Sequence, residues 1–561
     1  MRIKHFFGLA VLAAMTASCS SNNDLVNGGN GSGEVENGTA YASFKINLPT
    51  TTGGTRADDP TPGTPSFEHG TAAEYEVKNG TILIFDATTD KFVTSAELGT
   101  MNPWTNVKAD GVTTAAIATV KLSDVSVTGN YNALVLLNNN TTDDATKKVT
   151  LPTTADTYAT WSKDVSKANA TNYVSTDGIF MANAPMYSAT SEPTTLVKIN
   201  HVCASPEEAQ AKAATVVYVE RGLAKVTMKD FTAGGYPIAD GTYAGGKVEI
   251  KNWQLDVTNN STFPVHQTSG LMTAWDQIWN TSRFYDQTST AFKRVYWGID
   301  PNYNEAKYQV LANCKTAFKM ITKDDVNGVT ANPQYCLENT FDLNNMKQGQ
   351  TTRVVFKAVF TPKDLNSKYT TFYKIGNNTD IWSQENLEKQ IHTVAVTAMG
   401  ITDDAEQKLY KVKLDATNNI SGEAGQHLVK AENITYTGEG ESKVKEEVVN
   451  AINDKLGLSD KVGISTYLNG EAYYIARIKH FNELTPWTAG TAYDSNNKDF
   501  LGRYGVLRNN WYELSVNKVS GLGYPDVPEV KPTVPDDEND QYINVEVKIL
   551  DWAKRSQSVD L

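Results

Sequence analysis

Residues 40–48, Ala-Tyr-Ala-Ser-Phe-Lys-Ile-Asn-Leu, and residues 542–550, Tyr-Ile-Asn-Val-Glu-Val-Lys-Ile-Leu, decide how this chain is interpreted. In both segments apolar and polar residues alternate, which is typical of a β-strand with one buried face. A lone strand is unstable in water, because its backbone amides and its apolar face both need partners. Each segment is therefore predicted to complete a sheet, through Ala42, Phe44, Ile46 and Leu48 in the first and Ile543, Val545, Val547 and Ile549 in the second.

The rest of the sequence favours many short strands. Thr, Asn, Val and Tyr recur throughout, and strand-forming runs are separated by polar turn residues. Strands are predicted at residues 81–85, 116–122, 131–137, 216–220, 225–228, 247–257, 352–360, 393–398, 409–414, 473–478 and 512–519. A helix is predicted at residues 443–456 between Ser442 and Gly457, and another from Ser205. This pattern indicates a mainly β protein built from β-sandwiches.

Length and charge limit the possible functions. A chain of 561 residues is too long for one hydrophobic core, so two or more domains are expected. The net charge is −13 and is spread along the chain. This balance argues against nucleic-acid binding, because phosphate recognition needs clustered Lys and Arg.

The N-terminus predicts export. Arg2 and Lys4 precede an apolar run at residues 6–15, which has the composition of a signal peptide and is too short to span a bilayer. The sequence Thr16-Ala-Ser-Cys19 resembles a bacterial lipobox with Thr16 in place of the usual Leu, so Cys19 is the predicted lipidation site. Residues 20–38 are rich in Ser, Asn and Gly, as expected for a flexible tether. The alternative is an ordinary signal peptide with an incidental Cys.

Two further segments bear on how the alternating strands are used. Residues 49–65 contain almost no apolar side chain and are broken by Gly and Pro, so this stretch, which includes Arg56, is predicted to be an exposed, proteolysable loop. Residues 524–540 contain four prolines and six acidic residues and are predicted to form an extended, poorly packed arm. An arm of about 16 residues can span roughly 50 Å.

These features suggest strand exchange between molecules. If residues 40–48 fill a groove in the N-terminal domain, cleavage at Arg56 would release them and expose a sheet edge and an apolar slot. The terminal strand of a neighbour carries a matching set of four apolar residues and can fill that slot. Head-to-tail use of one groove and one strand is a heterologous contact, which generates filaments. The alternative is that both strands pair within their own domains.

Motifs for chemistry are scarce. The sequence contains no HExxH, GxSxG, phosphate-binding loop or zinc-spaced Cys/His set, so no catalytic residue, metal or cofactor is predicted. Asp324-Asp-Val-Asn-Gly328 resembles part of a calcium loop but lacks its spacing and closing Glu, and is interpreted as a turn. Beyond Cys19, a bond between Cys314 and Cys336 and simple burial of these thiols are both open.

Six short segments follow one another along the chain in a consistent order. The longest is Gly505-Val-Leu-Arg-Asn-Asn-Trp-Tyr512, which continues to a Gly-rich turn at Gly521. The others are residues 178–184 (GIFMANA), 220–226 (ERGLAKV), 335–339 (YCLEN), 473–480 (YYIARIKH) and 545–552 (VEVKILDW). Together they resemble the type V pilins of Bacteroidetes, in particular the major-subunit fimbrillins of the short fimbriae of Porphyromonas and Bacteroides, with Asn510 where the family usually has His.

This resemblance implies a fold and a sequence of maturation and assembly steps. It implies two transthyretin-like β-sandwich domains with a C-terminal donor strand, divided as signal peptide 1–18, lipidated propeptide 19–56, N-terminal sandwich 57–265, C-terminal sandwich 266–525 and arm with donor strand 526–561. It also implies a palmitate-bearing outer-membrane precursor that an Arg-specific surface protease cuts between Arg56 and Ala57. The mature subunit would then join copies of itself, with anchor and tip subunits, in a surface fimbrium for adhesion and biofilm formation.

Other functions stay open at this stage. A fimbrial tip or accessory subunit would share most of these features. A monomeric surface lipoprotein that binds glycans would show exposed aromatic residues in a concave face and a terminal strand paired in its own domain. A hydrolase would show a pocket with two inward carboxylates.

Overall fold

The structure is a computed structural model, and it describes residues 38–49, 71–98, 112–139, 146–174, 178–276, 278–281, 284–285, 287, 292–327, 331–363, 370–415, 420, 424–480, 493, 498–537 and 543–550. The predicted mainly β fold with sandwich-like sheets is confirmed. No helix in this part of the chain is long and apolar enough to span a membrane.

The first eight strands form one sheet. They are β1 (Thr39–Pro49), β2 (Gly80–Asp86), β3 (Phe92–Glu97), β4 (Val112–Ser123), β5 (Tyr131–Leu137), β6 (Met181–Asn183), β7 (Val197–Lys198) and β8 (Thr215–Arg221). Their order is β3-β2-β5-β6-β8-β1-β4, with β7 beside β5. The first strand of the described chain therefore lies inside the sheet, between β8 and β4.

The first sheet is covered on both faces. In β2, Ile82 and Ile84 belong to a core that also contains the apolar side chains of β1, whereas Leu83 and Phe85 belong to a second core with Trp161. Continuous apolar runs such as Ile82-Leu-Ile-Phe85 are typical of strands buried on both sides. Residues of β1, β2, β5 and β8 share the first core, so the sheet folds back on itself and encloses the apolar face of β1.

The remaining strands form the second part of the molecule. They are β9 (Ala224–Met228), β10 (Tyr236–Pro237), β11 (Lys247–Asp256), β12 (Thr258–Asn259), β13 (Phe318–Lys319), β14 (Gln334–Cys336), β15 (Arg353–Thr361), β16 (Phe372–Ile375), β17 (Tyr410–Val412), β18 (Gln426–His427), β19 (Ile434–Tyr436), β20 (Ile464–Tyr467), β21 (Glu471–Arg477), β22 (Trp511–Val519) and β23 (Ile543–Leu550).

Two of its sheets form a sandwich. The sheets β10-β11-β15-β21 and β14-β9-β22-β23 contribute Phe356 and Tyr474 from one side, and Val226 and Leu514 from the other, to a single core. The smaller sheets are β16-β20-β18, β12-β13 and β17-β19.

Helices are mostly short. They are α1 (Ala72–Tyr75), α2 (Tyr158–Trp161), α3 (Ala170–Tyr173), α4 (Pro206–Ala211), α5 (Leu271–Ala274), α6 (Leu311–Ala317), α7 (Lys323–Val326), α8 (Gln384–Ala398), α9 (Asp404–Gln407) and α10 (Glu446–Lys455). Single turns of 3-10 helix lie at Val165–Lys167, Ala306–Gln309, Leu343–Asn345, Ala431–Asn433, Leu468–Gly470 and Lys498–Phe500. The two longest helices, α8 and α10, pack beside β16 and β20 in a separate core with Leu387, Ile452 and Ile464.

Two local predictions need correction. Residues 393–398, predicted as a strand, form the end of α8, because Leu387, Ile391 and Ala395 recur with helical spacing and are buried together. Ser383 caps this helix by accepting a hydrogen bond from the Asn386 amide. The predicted helix at 443–456 begins later, at Glu446, and Lys445 rather than Ser442 occupies its N-cap.

The change from the first sheet to the second part of the molecule falls between β8 and β9, and the domain boundary between residues 265 and 266 stays a prediction. Strand β8 ends the first sheet at Arg221, and β9 begins at Ala224 in the sandwich of the second part. The reason is that β9 pairs in parallel with β22, nearly three hundred residues later, with Lys225 opposite Trp511. A pairing of this range leaves no local signal in the sequence.

Candidate functional site

The candidate site is the groove that holds β1, the leader strand. This strand runs antiparallel to β4, with Phe44 opposite Ala118, and parallel to β8, with Phe44 opposite Thr215. Among the described strands, β4 pairs with β1 alone. The leader strand is therefore the only described link that joins β4 to the rest of its sheet.

The apolar face of the leader strand is completely enclosed. Ala40, Ala42, Phe44, Ile46 and Leu48 all have 0% of their surface exposed. Burying a side chain the size of Phe, Ile or Leu contributes about 1.5–3 kcal/mol relative to exposure. The groove is thus filled by an apolar set that matters strongly to the stability of the first core.

The opposite face of the leader strand is partly covered by α4. The Ser43 hydroxyl donates to the Ala209 carbonyl at 2.8 Å and lies 2.8 Å from the Thr119 hydroxyl. Lys45 is exposed, and Ile117 and Val216, its neighbours in register on β4 and β8, are 63% and 38% exposed. Asn47 is buried beside a register shift in the β1–β4 pairing, and its Oδ1 has no hydrogen-bond partner among the described residues. The predicted helix start at Ser205 agrees with α4, whose N-cap Ser205 accepts from the Glu208 amide.

The terminal strand, β23, lies in a different sheet. It pairs antiparallel with β22, with Ile549 opposite Tyr512, Val547 opposite Leu514 and Val545 opposite Val516. Within the described sheet it occupies the edge, with β22 as its one partner strand. Both alternating strands thus pair inside their own part of the chain in this structure, and they stand in contrasting positions: the leader strand has two neighbours and the terminal strand has one.

The arm before the terminal strand is packed, which corrects the predicted extended and poorly packed segment. Val527 and Val530 are buried in small apolar clusters. Asp536 accepts hydrogen bonds from the Tyr493 and Thr351 hydroxyls at 2.5 and 2.8 Å. Asp537 accepts from the Tyr504 hydroxyl at 2.8 Å and pairs with Arg503 at 2.5 Å. The prolines and acidic residues that predicted an exposed arm instead fit specific partners, so the chain is held in place as far as Asp537.

A buried charged cluster joins the two parts of the molecule. Glu74, on α1, lies between the first sheet and the sandwich, with its carboxylate accepting from Lys225 Nζ at 2.9 Å and from the Tyr335 hydroxyl. Arg221 Nε donates to the Glu74 carbonyl at 2.8 Å. Burial, the largest influence, lowers the pKa of Arg221 to about 10, which leaves it charged at neutral pH. The short segment that precedes β2 is therefore fixed to β8, β9 and β14 at once.

A second charged cluster lies next to it. Glu220 contacts His266 Nδ1 and accepts from Arg294 Nε at 3.1 Å, and Arg294 Nη2 donates to the Arg508 carbonyl at 3.1 Å. Arg508 in turn pairs with Glu338 at 3.2 Å. Burial opposes the ionisation of Glu220, but its electrostatic interactions with His266 and Arg294 outweigh burial and lower the pKa of Glu220. These acids and bases neutralise one another in the interior, as structural ion-pair networks do.

Three of the six motifs that carried the resemblance meet at these clusters. Residues 220–226, 335–339 and 505–512 come together here, and the Asn510 carbonyl accepts from the Lys225 amide at 2.9 Å. His480 pairs with the Tyr512 hydroxyl at 2.7 Å. The sequence motifs did not identify Glu74, His266 and Arg294, which lie outside them. The one sequence signal for these residues was a charged side chain within a locally apolar or turn-rich stretch.

The other predicted residues concern lipidation, cleavage, cysteine pairing and the calcium-like loop. Cys19, Arg56 and Ala57 lie outside the described residues. Cys203, Cys314 and Cys336 are buried free thiols, and burial raises the pKa of Cys336 to about 12. Asp325 caps α7 by accepting from the Thr322 amide at 2.7 Å. Among the described residues no group of three or more His, Cys, Asp or Glu side chains is placed to hold a metal ion.

The fold and the site define a mainly β protein with a filled strand groove in its first sheet and an edge strand near its C-terminal end. Residues 465–558 match the family described as major fimbrial subunit protein type IV, fimbrillin, C-terminal. The predicted resemblance to the fimbrillins is thereby confirmed, and a structural role in a cell-surface fimbrium is supported over an enzymatic one.

Two solved structures from Parabacteroides distasonis show distant similarity. One, a protein of proposed cell-adhesion role, is 11% identical with a TM-score of 0.38, over 92% of this chain and 99% of that chain. The other, a fimbrial assembly protein, is 11% identical with a TM-score of 0.25, over 58% of this chain and 86% of that chain. None of the curated proteins matches the sequence at a significant level.

Proposed function

We propose that this protein is a non-enzymatic pilin that polymerises by strand exchange. Cleavage between Arg56 and Ala57 lets the leader strand depart, and the terminal strand of a neighbouring copy, residues 543–550, takes its place. Repetition of this contact builds a fimbrium head to tail, which anchor and tip subunits complete and which serves adhesion and biofilm formation.

The position of the leader strand is the observation that carries this proposal. The strand belongs to the segment before Arg56, yet its apolar face is fully buried and it alone joins β4 to the described sheet. Its loss would open two backbone edges and an apolar slot in the first core. Such a surface is unstable in water and favours addition of another strand.

The position of the terminal strand explains why the exchange is energetically favourable. In the described part of its own sheet, β23 forms backbone hydrogen bonds along one side, with β22. In the leader groove it would be bonded on both sides, by β4 and β8. The exchange therefore adds a second row of backbone hydrogen bonds, each worth about 0.5–1.5 kcal/mol net, and buries apolar side chains in a vacated core.

Lipidation and proteolytic cleavage before polymerisation are part of the proposal. Lipidation at Cys19 would hold the precursor in the outer membrane until an Arg-specific surface protease acts at Arg56. Replacing Cys19 by Ala should abolish incorporation of labelled palmitate and release the precursor from membranes, while leaving polymerisation of the cleaved protein unchanged. Palmitate incorporation into the Cys19→Ala variant would contradict the assignment.

One observation favours the second candidate, a monomeric glycan-binding lipoprotein: the terminal strand is paired in its own part of the chain. A precursor that awaits cleavage is expected to show the same pairing. The two functions therefore differ in their outcome after cleavage, because the pilin polymerises and the monomeric lipoprotein does not.

The decisive experiment treats purified precursor, lacking residues 1–19, with an Arg-specific protease and tracks assembly by electron microscopy. Filaments are expected from the wild type, and monomers from a variant truncated before Tyr542 and from Arg56→Gln. Monomers in every sample, or filaments from the truncated variant, would overturn the proposal.

A further inference from the structure

The leader groove selects side chains on both faces of the strand it holds. We propose that the terminal strand of a neighbouring copy enters it in one register, with Ile543 at the position of Ala42 and Ile549 at that of Leu48. This inference rests on the proposed strand exchange, and it adds which residue of the donor meets which residue of the acceptor.

From residue 41 to residue 48, the leader strand matches residues 542–549 on both faces at a constant offset of residue numbers; the match ends at Ala40, whose fully buried position would receive Gln541. The apolar pairs are Ala42 with Ile543, Phe44 with Val545, Ile46 with Val547 and Leu48 with Ile549. The polar pairs are Tyr41 with Tyr542, Ser43 with Asn544, Lys45 with Glu546 and Asn47 with Lys548. The four incoming apolar side chains contain slightly fewer carbon atoms in total than the four they replace. Core substitutions that conserve total volume in this way are the ones proteins tolerate best.

Neighbouring registers place the wrong chemistry in buried positions. A shift by one residue turns Asn544, Glu546 and Lys548 toward the apolar core. A shift by two in one direction puts Asp551 at the fully buried position of Leu48, where an unpaired carboxylate is strongly disfavoured. A shift by two in the other direction puts Tyr542 at the position of Ser43, which is 7% exposed and has the Ala209 carbonyl 2.8 Å from its hydroxyl.

The polar positions accept the proposed residues. Asn544, at the position of Ser43, brings an amide group that can donate to the Ala209 carbonyl in place of the serine hydroxyl. Glu546, at the position of Lys45, falls at an exposed site. Lys548 replaces Asn47, which is 4% exposed beside the register shift, and its long aliphatic stem can carry the ammonium group past the strand to solvent.

Disulfide trapping between copies tests this register. In the antiparallel β1–β4 pair Lys45 lies opposite Ile117, so a donor Cys at position 546 should lie opposite an acceptor Cys at position 117. Residues directly opposite across antiparallel strands have the Cα separation that a disulfide requires. Glu546→Cys with Ile117→Cys is therefore expected to give a ladder of covalent oligomers on non-reducing gels after cleavage and oxidation.

Matched pairs supply the controls. Asn544→Cys and Lys548→Cys, each combined with Ile117→Cys, move the donor thiol by two residues and should give at least tenfold less ladder. Glu546→Cys with Val216→Cys probes the same register from β8, where Val216 is the partner of Lys45. The three native thiols are buried, and single-Cys variants measure any contribution from them.

The outcomes separate this inference from the function it rests on. Filaments with the ladder at position 544 or 548, or at none of the three positions, overturn the register and leave filament formation intact. Filaments that form without residues 542–561, or the absence of filaments after cleavage of the wild type, overturn strand exchange itself and the register with it. A ladder specific to position 546 with both acceptor positions establishes the register.

Discussion

Glu74 shows how one buried carboxylate can hold two parts of a protein together. Its side chain is 2% exposed and accepts from Lys225 and Tyr335, and the Thr71 amide donates to the same carboxylate at 2.6 Å. Removal of one partner from such a pair leaves the other charge buried without compensation. The ion pair therefore affects the stability of the protein mainly because breaking it is unfavourable.

We expect Glu74→Gln to lower the free energy of unfolding by about 3 kcal/mol or more, because the buried ion pair with Lys225 would lose its acidic partner. The measurement is urea unfolding monitored by tryptophan fluorescence. The matched control is Glu385→Gln, which breaks the exposed pair with Lys389 on α8 and should leave the unfolding midpoint unchanged. Equal changes in the unfolding midpoint for the two substitutions would show that Glu74 does not hold the two parts of the molecule together.

Asp300 should give the protein a distinctive pH dependence. Its carboxylate accepts from the Thr340 and Asn302 amides, both at 2.6 Å, but burial outweighs these bonds and raises its pKa to about 7. The folded state thus binds a proton more tightly than the unfolded state. The resulting stabilisation is complete below about pH 4 and is lost as the pH rises through 7.

Comparison with Asp300→Asn isolates this effect, since other titrating groups are common to both proteins. The stability of the wild type relative to the variant should fall by a few kcal/mol between pH 4 and pH 8. Urea unfolding at several pH values measures the difference. A difference that does not change with pH would mean that Asp300 titrates normally.

At the scale of elements, the sequence predicted strands better than their partners. The alternation in residues 40–48 and the apolar run in residues 131–137 identified β1 and β5 closely, because both patterns are local. Residues 393–398 misled because six β-branched and small residues fit a strand, whereas the longer helical period over α8 decides the structure. The charged clusters that join the two parts of the molecule could not be predicted, because Glu74, Arg294 and Arg508 are far apart in sequence and come together only through tertiary packing.

The leader strand gives a prediction that separates precursor from filament. Phe44→Ala removes a fully buried side chain and should destabilise the precursor by about 3–5 kcal/mol. Under the proposed exchange the leader has left the filament, so filaments grown from this variant should resist heat and urea as wild-type filaments do. Thermal melts of both forms, with fibre dissociation monitored by light scattering, make the comparison.

The matched substitution is Val547→Ala in the donor strand. It should weaken filaments more than it weakens the precursor, because in the precursor the strand occupies a sheet edge. Filaments equally sensitive to Phe44→Ala and Val547→Ala would contradict the replacement of one strand by the other.

For the whole molecule, the packed arm sets the geometry of assembly. The hydrogen bonds to Asp536 and Asp537 hold the chain up to that point, so five residues, 538–542, separate the held arm from Ile543. Five extended residues reach about 17 Å, in place of the roughly 50 Å expected from a free arm. A donor strand on so short a connection can reach only an acceptor groove that lies close to Asp537 of the donor copy.

Connection length should therefore limit polymerisation more than strand affinity does. Deleting residues 538–540 is expected to stop filament growth, because the donor can no longer reach the acceptor groove while the arm stays bound. Inserting three Gly or Ser residues at the same place should permit it, since added flexible length lowers the effective concentration of the donor only gradually. Electron microscopy after cleavage scores filaments, and thermal melts of the uncleaved variants verify that both fold. Normal filaments from the deletion variant would show that the arm detaches during assembly, and adding Asp536→Ala and Asp537→Ala to the deletion tests this directly, because freeing the arm should then restore growth.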